Sequence, residues 1–170
     1  DGNSAIDPSV YVDLNSTPYL LWKNEGSAQI MSQQLSVDGG SLVGEATNIF
    51  NPDASWIGNG VENPQMVLLG GGYVLLFSFN FWASVGYATG EASCAGPQGP
   101  CQSAAPVLSS HEFGQGTGGL TVFLDSSGAR RAAYHAWVGG VGYEEGGYRA
   151  LFIGYLSTGP DGVSIAHGLR

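Results

Sequence analysis

A strand hairpin that recurs along the chain at a spacing of about fifty-five residues is the feature that most constrains the fold. In its clearest copy, Val61-Glu62-Asn63-Pro64-Gln65-Met66-Val67-Leu68-Leu69 leads through Gly70-Gly71-Gly72 into Tyr73-Val74-Leu75-Leu76-Phe77-Ser78. Pro64 favours an extended residue before it, and the glycine turn sends the chain straight back, so the two apolar runs read as antiparallel strands. An upstream likeness runs from Ala5-Ile6-Asp7-Pro8-Ser9-Val10-Tyr11-Val12-Asp13 to Tyr19-Leu20-Leu21-Trp22-Lys23. A downstream one runs from Gly118-Gly119-Leu120-Thr121-Val122-Phe123-Leu124-Asp125 through Ser127-Gly128 to Ala132-Ala133-Tyr134-His135-Ala136-Trp137. Asp7 and Glu62 are 55 positions apart, and Glu62 and Gly119 are 57 apart. Strands repeated at such a period are the signature of a β-propeller.

Composition agrees with an all-β fold. The 28 glycines and 8 prolines supply many tight turns, and 43% hydrophobic against 11% charged residues describes a packed chain. At 170 residues it is long enough for one domain. Four strands per unit give three blades, over about 1–50, 51–110 and 111–170, with no linker between them. In the first unit, 28–36 and Leu42 to Phe50 supply the outer strands. In the second, they are expected at Ser84 to Glu91 and near Pro106 to Leu108, and in the third at Tyr148 to Tyr155 and Val163 to Ala166. Propellers close with four to eight blades, so three leave an open ring.

A net charge of −9, with only five Lys and Arg, argues against nucleic acid as a partner. No apolar run reaches membrane-spanning length, so no membrane is expected either, and the chain reads as mature or processed material beginning at Asp1. Cys94 and Cys101 enclose a six-residue loop, short enough for a disulfide, and no further soft ligands lie nearby to make a metal pair. A disulfide is therefore expected, together with an oxidising, extracellular location. There is no Gly-x-Ser-x-Gly, paired-histidine spacing or phosphate loop, which removes serine hydrolase, zinc hydrolase and nucleotide-binding readings.

Glu62 stands out as a carboxyl at the mouth of an apolar strand, although a glutamate there can simply be solvated. Asp7 alone could equally be a turn former, and it gains weight only beside Glu62. Asp13, Asp38, Asp125 and Asp161 sit in turn contexts, and His135 reads as a core histidine rather than a ligand. Trp56, Phe79, Phe81 and Trp82 are candidate sugar platforms, with inter-blade packing as the competing role.

These stretches resemble glycoside hydrolase family 43, the five-bladed propeller arabinofuranosidases, xylosidases and arabinanases. The likeness rests on 6–13 with 18–23, on 35–39 and on Val61-Glu62-Asn63-Pro64-Gln65-Met66. It continues through Gly86-Tyr87-Ala88 with the Cys94 to Cys101 loop and through Tyr134-His135-Ala136-Trp137, and it maps to the third, fourth and fifth blades. It implies that Glu62 is the general acid of an inverting hydrolysis and that Asp7 orients that acid and tunes its pKa. It places the general base on a first blade that this chain does not contain.

Trp22, Phe79, Trp82 and Arg149 are the residues expected to bind substrate, Arg149 through its match to an arginine that often points at the site. Where many relatives carry a histidine beside the channel, this chain reads Gly118-Gly119-Leu120-Thr121, and neither a metal nor a cofactor is expected. The expected partners are an oligo- or polysaccharide of plant cell walls and either an N-terminal propeller fragment or a second copy of the chain. The fragment would restore an enzyme, whereas a second copy would give a self-associating, non-catalytic carbohydrate-binding half-propeller.

Overall fold

The computed structural model describes residues 4–51, 55–58, 60–159 and 162–167, the side chains of 103, 104 and 167 apart. All the regular structure among them is β. The first antiparallel sheet is β1 (Ala5–Val12), β2 (Pro18–Asn24), β3 (Gln29–Leu35) and β4 (Leu42–Phe50). The second is β5 (Val61–Leu69), β6 (Gly72–Phe79), β7 (Ala88–Cys94) and β8 (Cys101–Leu108), and the third is β9 (Gln115–Leu124), β10 (Arg130–Val138), β11 (Tyr148–Gly159) and β12 (Gly162–His167). In each sheet the strands lie in sequence order, as propeller blades. Asp161 lies outside the described residues.

Three strands depart by several residues from their expected limits: β11 runs on to Gly159 rather than ending at Tyr155, and the other two lie in the second sheet. The third strand of the second sheet begins at Ala88 rather than Ser84. Ser84 Oγ donates to the Phe81 carbonyl at 2.7 Å, and Asn80 Nδ2 donates to the Gly86 carbonyl at 2.8 Å, which folds 81–86 into a loop. The outer strand begins earlier, at Cys101, because Cys94 and Cys101 are directly opposite in the ladder and joined as a disulfide.

Two apolar layers hold the sheets together. Between the first and second sheets lie Leu21, Ile30, Phe50, Val61, Leu75 and Phe77, and between the second and third lie Leu76, Leu108, Leu120, Tyr134 and Phe152. Each large side chain so buried contributes roughly 1.5–3 kcal/mol. Polar clips cross the same seams. Ser9 Oγ donates to the Pro64 carbonyl at 2.6 Å, Gln65 bonds both backbone groups of Val122, and the buried Glu91 carboxyl accepts from the Val163 amide at 3.1 Å. Burial pushes the Glu91 carboxyl up from its ordinary pKa, and the Val163 amide partly opposes this.

The outer faces of the stack remain apolar. On β11, Leu151 (74% exposed), Ile153 (40%) and Tyr155 (54%) alternate with buried Phe152 and Leu156. On β1, Val10 (60%) and Val12 (56%) point away from the second sheet, while Tyr11 packs towards it against Tyr73. Apolar residues in both phases of a strand are the pattern of a sheet built to be covered on both faces.

Candidate active site

The innermost strand of every sheet carries the same backbone irregularity. The ladder shifts register between Ile6 and Ser9 in β1, between Glu62 and Gln65 in β5, and between Gly118 and Thr121 in β9 where it meets β10. At each shift one residue takes a left-handed conformation: Asp7 (φ 53°), Asn63 (φ 48°) and Gly119 (φ 62°). Asp7 therefore corresponds to Asn63, 56 positions on, and not to Glu62, whose counterparts are Ile6 and Gly118. The bulge, rather than the acid, is the repeated unit.

These bulges are bonded to one another. The Asp7 carboxylate (Oδ2) accepts a hydrogen bond from the Asn63 amide at 2.9 Å, and Asn63 Nδ2 donates to the Leu120 carbonyl at 2.9 Å. Asp7 thus grips the backbone next to the acid rather than the acid's own carboxyl.

Glu62 stands opposite Ser78 at the end of the β5–β6 hairpin. Its Oε1 accepts a short hydrogen bond from the Tyr87 hydroxyl, and its Oε2 lies 3.8 Å from Lys23 Nζ, which also pairs with Glu25 Oε2 at 3.4 Å. Burial, and next the Glu62 charge, push the Tyr87 phenol well above its ordinary range, against an opposing hydrogen bond from Ser78. The Tyr87 ring stacks on His135 with centroids 6.0 Å apart and planes 15° apart. Burial, with the Arg149 guanidinium second, lowers the His135 pKa to about 4, so this imidazole is neutral at pH 7.

Arg149 opens β11 opposite Trp137. Its guanidinium carbon lies 4.8 Å from the Trp82 ring centroid, 5.2 Å from that of Trp137 and 5.9 Å from that of Tyr143. Trp82 is 37% exposed, and its carbonyl accepts from Trp137 Nε1 at 2.9 Å. The loop holding Trp82 leaves β6 next to Ser78, so this aromatic wall rises at the same end of the sheets as Glu62.

Phe79 and Trp22 are placed elsewhere. Phe79 pairs with Val61, on the face of the hairpin opposite to Glu62 and Ser78, and is 5% exposed in the core with its ring edge-on to Trp56. A side chain so enclosed does not serve as a sugar platform, and the alternation of the strand is the reason. Trp22 sits between Leu21, which packs towards the second sheet, and Lys23, which reaches Glu62, so it belongs to the opposite, outer face of the first sheet.

Lys23, Ser78 and Tyr87 carry no role in the sequence reading. Lys23 had a signal: it shares the strand phase of the buried Leu21, an unusual place for a cation. Asp13, Asp38 and Asp125 each bond backbone amides of their own turns. Among the described residues no group of three His, Cys, Asp or Glu is arranged to hold a metal, and no helix is long and apolar enough to cross a membrane.

Residues 1–163 match the family described as Glycosyl hydrolases family 43. The chain belongs to glycosyl hydrolase family 43. Among solved structures it resembles a thermostable family-43 glycoside hydrolase, with a TM-score of 0.87 and 23% identity, covering 100% of this chain and 61% of that one. It also resembles an endo-1,4-beta-xylanase from Bacteroides thetaiotaomicron VPI-5482, with a TM-score of 0.85 and 25% identity over 96% of this chain and 59% of that one. An alpha-L-arabinofuranosidase from Lactobacillus brevis matches with a TM-score of 0.78 and 17% identity over 98% of this chain and 58% of that one. No curated protein matches the sequence. This family 43 chain therefore spans about three fifths of the solved chains that it resembles.

Proposed function

We propose that this chain is the acid-bearing portion of an inverting glycosidase that releases arabinofuranosyl or xylosyl units from plant cell-wall polysaccharide. The observation that carries the reading is the Asp7 clamp on the Asn63 amide at 2.9 Å, which holds the backbone of Glu62 from the neighbouring sheet. Glu62 gives its proton to the glycosidic oxygen as the bond from that oxygen to the anomeric carbon breaks. A water attacks the same carbon from the opposite face and passes its proton to a base. Trp82 and Arg149 form a wall for the sugar, the ring by stacking and the guanidinium by donating to hydroxyls.

The base comes from outside this chain. Three sheets correspond to 61% of one solved relative, which leaves length for about two more of the same size. Such sheets would cover the apolar faces at Val10 and Val12 and at Leu151, Ile153 and Tyr155. That match in size favours an N-terminal portion over a second copy of the chain. The Cys94–Cys101 disulfide supports a secreted protein.

The test is Glu62→Gln in the full-length protein, assayed on aryl arabinofuranosides and xylosides with poor leaving groups. Turnover is expected to fall about 10²–10⁴-fold. Hydrolysis at the unmutated rate would show that Glu62 is not the acid.

A further inference from the structure

Ser78 and Tyr87 are buried polar side chains beside Glu62. The Gly119 amide can only donate, and it does so to Ser78 Oγ at 3.0 Å. Ser78 also acts on the Tyr87 phenol, opposing the upward push on its pKa. The Tyr87 hydroxyl in turn donates to Glu62 Oε1. Ser78 is thus tied to the third sheet, and the Tyr87 hydroxyl ends on one oxygen of Glu62.

The phenol is also held in place by its surroundings. A Cβ at Gly118 would lie 2.0 Å from Tyr87 Cε1, and His135 stacks on the ring at 6.0 Å. Satisfying a buried hydroxyl would need any acceptor, whereas this arrangement delivers the donor to the acid of the proposed reaction.

We propose that Tyr87 is the positioning residue of Glu62: by occupying Oε1 it fixes the rotation of the carboxyl and leaves Oε2, on the Lys23 side, to carry the proton to the leaving group. This rests on the glycosidase reading above. It also gives Gly118 a purpose, since a side chain there would displace the ring.

The test uses Tyr87→Phe, which keeps the stacked ring and removes the donor, with Ser78→Ala as a second variant. In the full-length protein, Tyr87→Phe is expected to lower kcat on a poor leaving group, such as a methyl glycoside or natural disaccharide, by about tenfold to 10²-fold, with KM little changed. Hydrolysis of the dinitrophenyl glycoside, which needs no proton, should stay within about twofold, and Ser78→Ala should show the same selectivity more weakly. Equal loss on both substrates, or no loss on either, would overturn the inference.

Infrared difference spectra supply a readout without turnover. Tyr87→Phe should shift a carboxyl stretching band in the protein that retains Glu62 and produce no such shift in the Glu62→Gln background. An absent shift overturns the tyrosine's role alone. Full activity of Glu62→Gln on the poor leaving group overturns the functional reading, and the inference with it.

Discussion

The inner strands of the second and third sheets share one backbone device and put it to opposite uses. In β5 the bulge carries Glu62-Asn63, and in β9 it carries Gly118-Gly119. The first pair presents a carboxyl and an amide side chain. The second gives up its side chains to make room: a Cβ on Gly118 would strike the Tyr87 ring, and one on Gly119 would lie 2.7 Å from His135 Cδ2. The repeat fixes where backbone bulges fall. Which copy is acidic and which is bare then decides where an acid can stand and what can be packed behind it.

The glycine bulge gives the largest expected effect. Gly118→Ala forces a Cβ into Tyr87 Cε1 at 2.0 Å and Cζ at 2.5 Å, with His135 behind the ring. We expect a loss of about 1–3 kcal/mol in urea denaturation, the usual cost of overpacking, and an activity loss with it. In a Tyr87→Ala background, where the struck ring is gone, most of this increment should disappear.

At the other bulge, Asn63→Ala loses the 2.9 Å bond to the Leu120 carbonyl and forces alanine to φ 48°. A destabilisation of about 1–3 kcal/mol is expected. Asn63→Gly tolerates the same φ and should recover part of it, so equal midpoints for the two variants would show that the left-handed backbone contributes nothing.

Near neutral pH the smallest effect belongs to His135. Its pKa falls from 6.5 to about 4 on folding, so between these values the unfolded chain binds a proton that the folded chain does not. Its contribution to stability is therefore complete above pH 6.5 and lost as the pH falls towards 4. His135→Asn should flatten that slope in thermal melts taken across the window, and an unchanged slope would assign it to other groups.

Much of this was legible from the chain itself. The near-constant spacing of the hairpins, the glycine turns and the Cys94–Cys101 loop are local patterns, and local chemistry fixes the strands that they imply. The 55–57-residue separations reappear as hydrogen bonds between sheets, from Ser9 to Pro64, Asp7 to Asn63 and Gln65 to Val122. The surroundings of the acid were less visible. Tyr87 and Ser78 reach Glu62 from a loop end and a strand that neither period nor composition distinguishes, and their role exists only once Gly118 is seen to be empty space. Phe79 misled because its aromatic character is plain from sequence while its burial is set by strand phase, on the face of Leu75 and Phe77 and opposite Glu62 and Ser78.

The most direct test of the account is a crystal structure of the full-length protein with an uncleaved disaccharide bound, prepared in the Glu62→Gln variant. The account predicts the glycosidic oxygen within about 3 Å of the side-chain amide atom that takes the place of Glu62 Oε2, with Tyr87 still bonded to the other. A glycosidic oxygen seated on the Tyr87 side, or a sugar bound away from this end of the sheets, would contradict it.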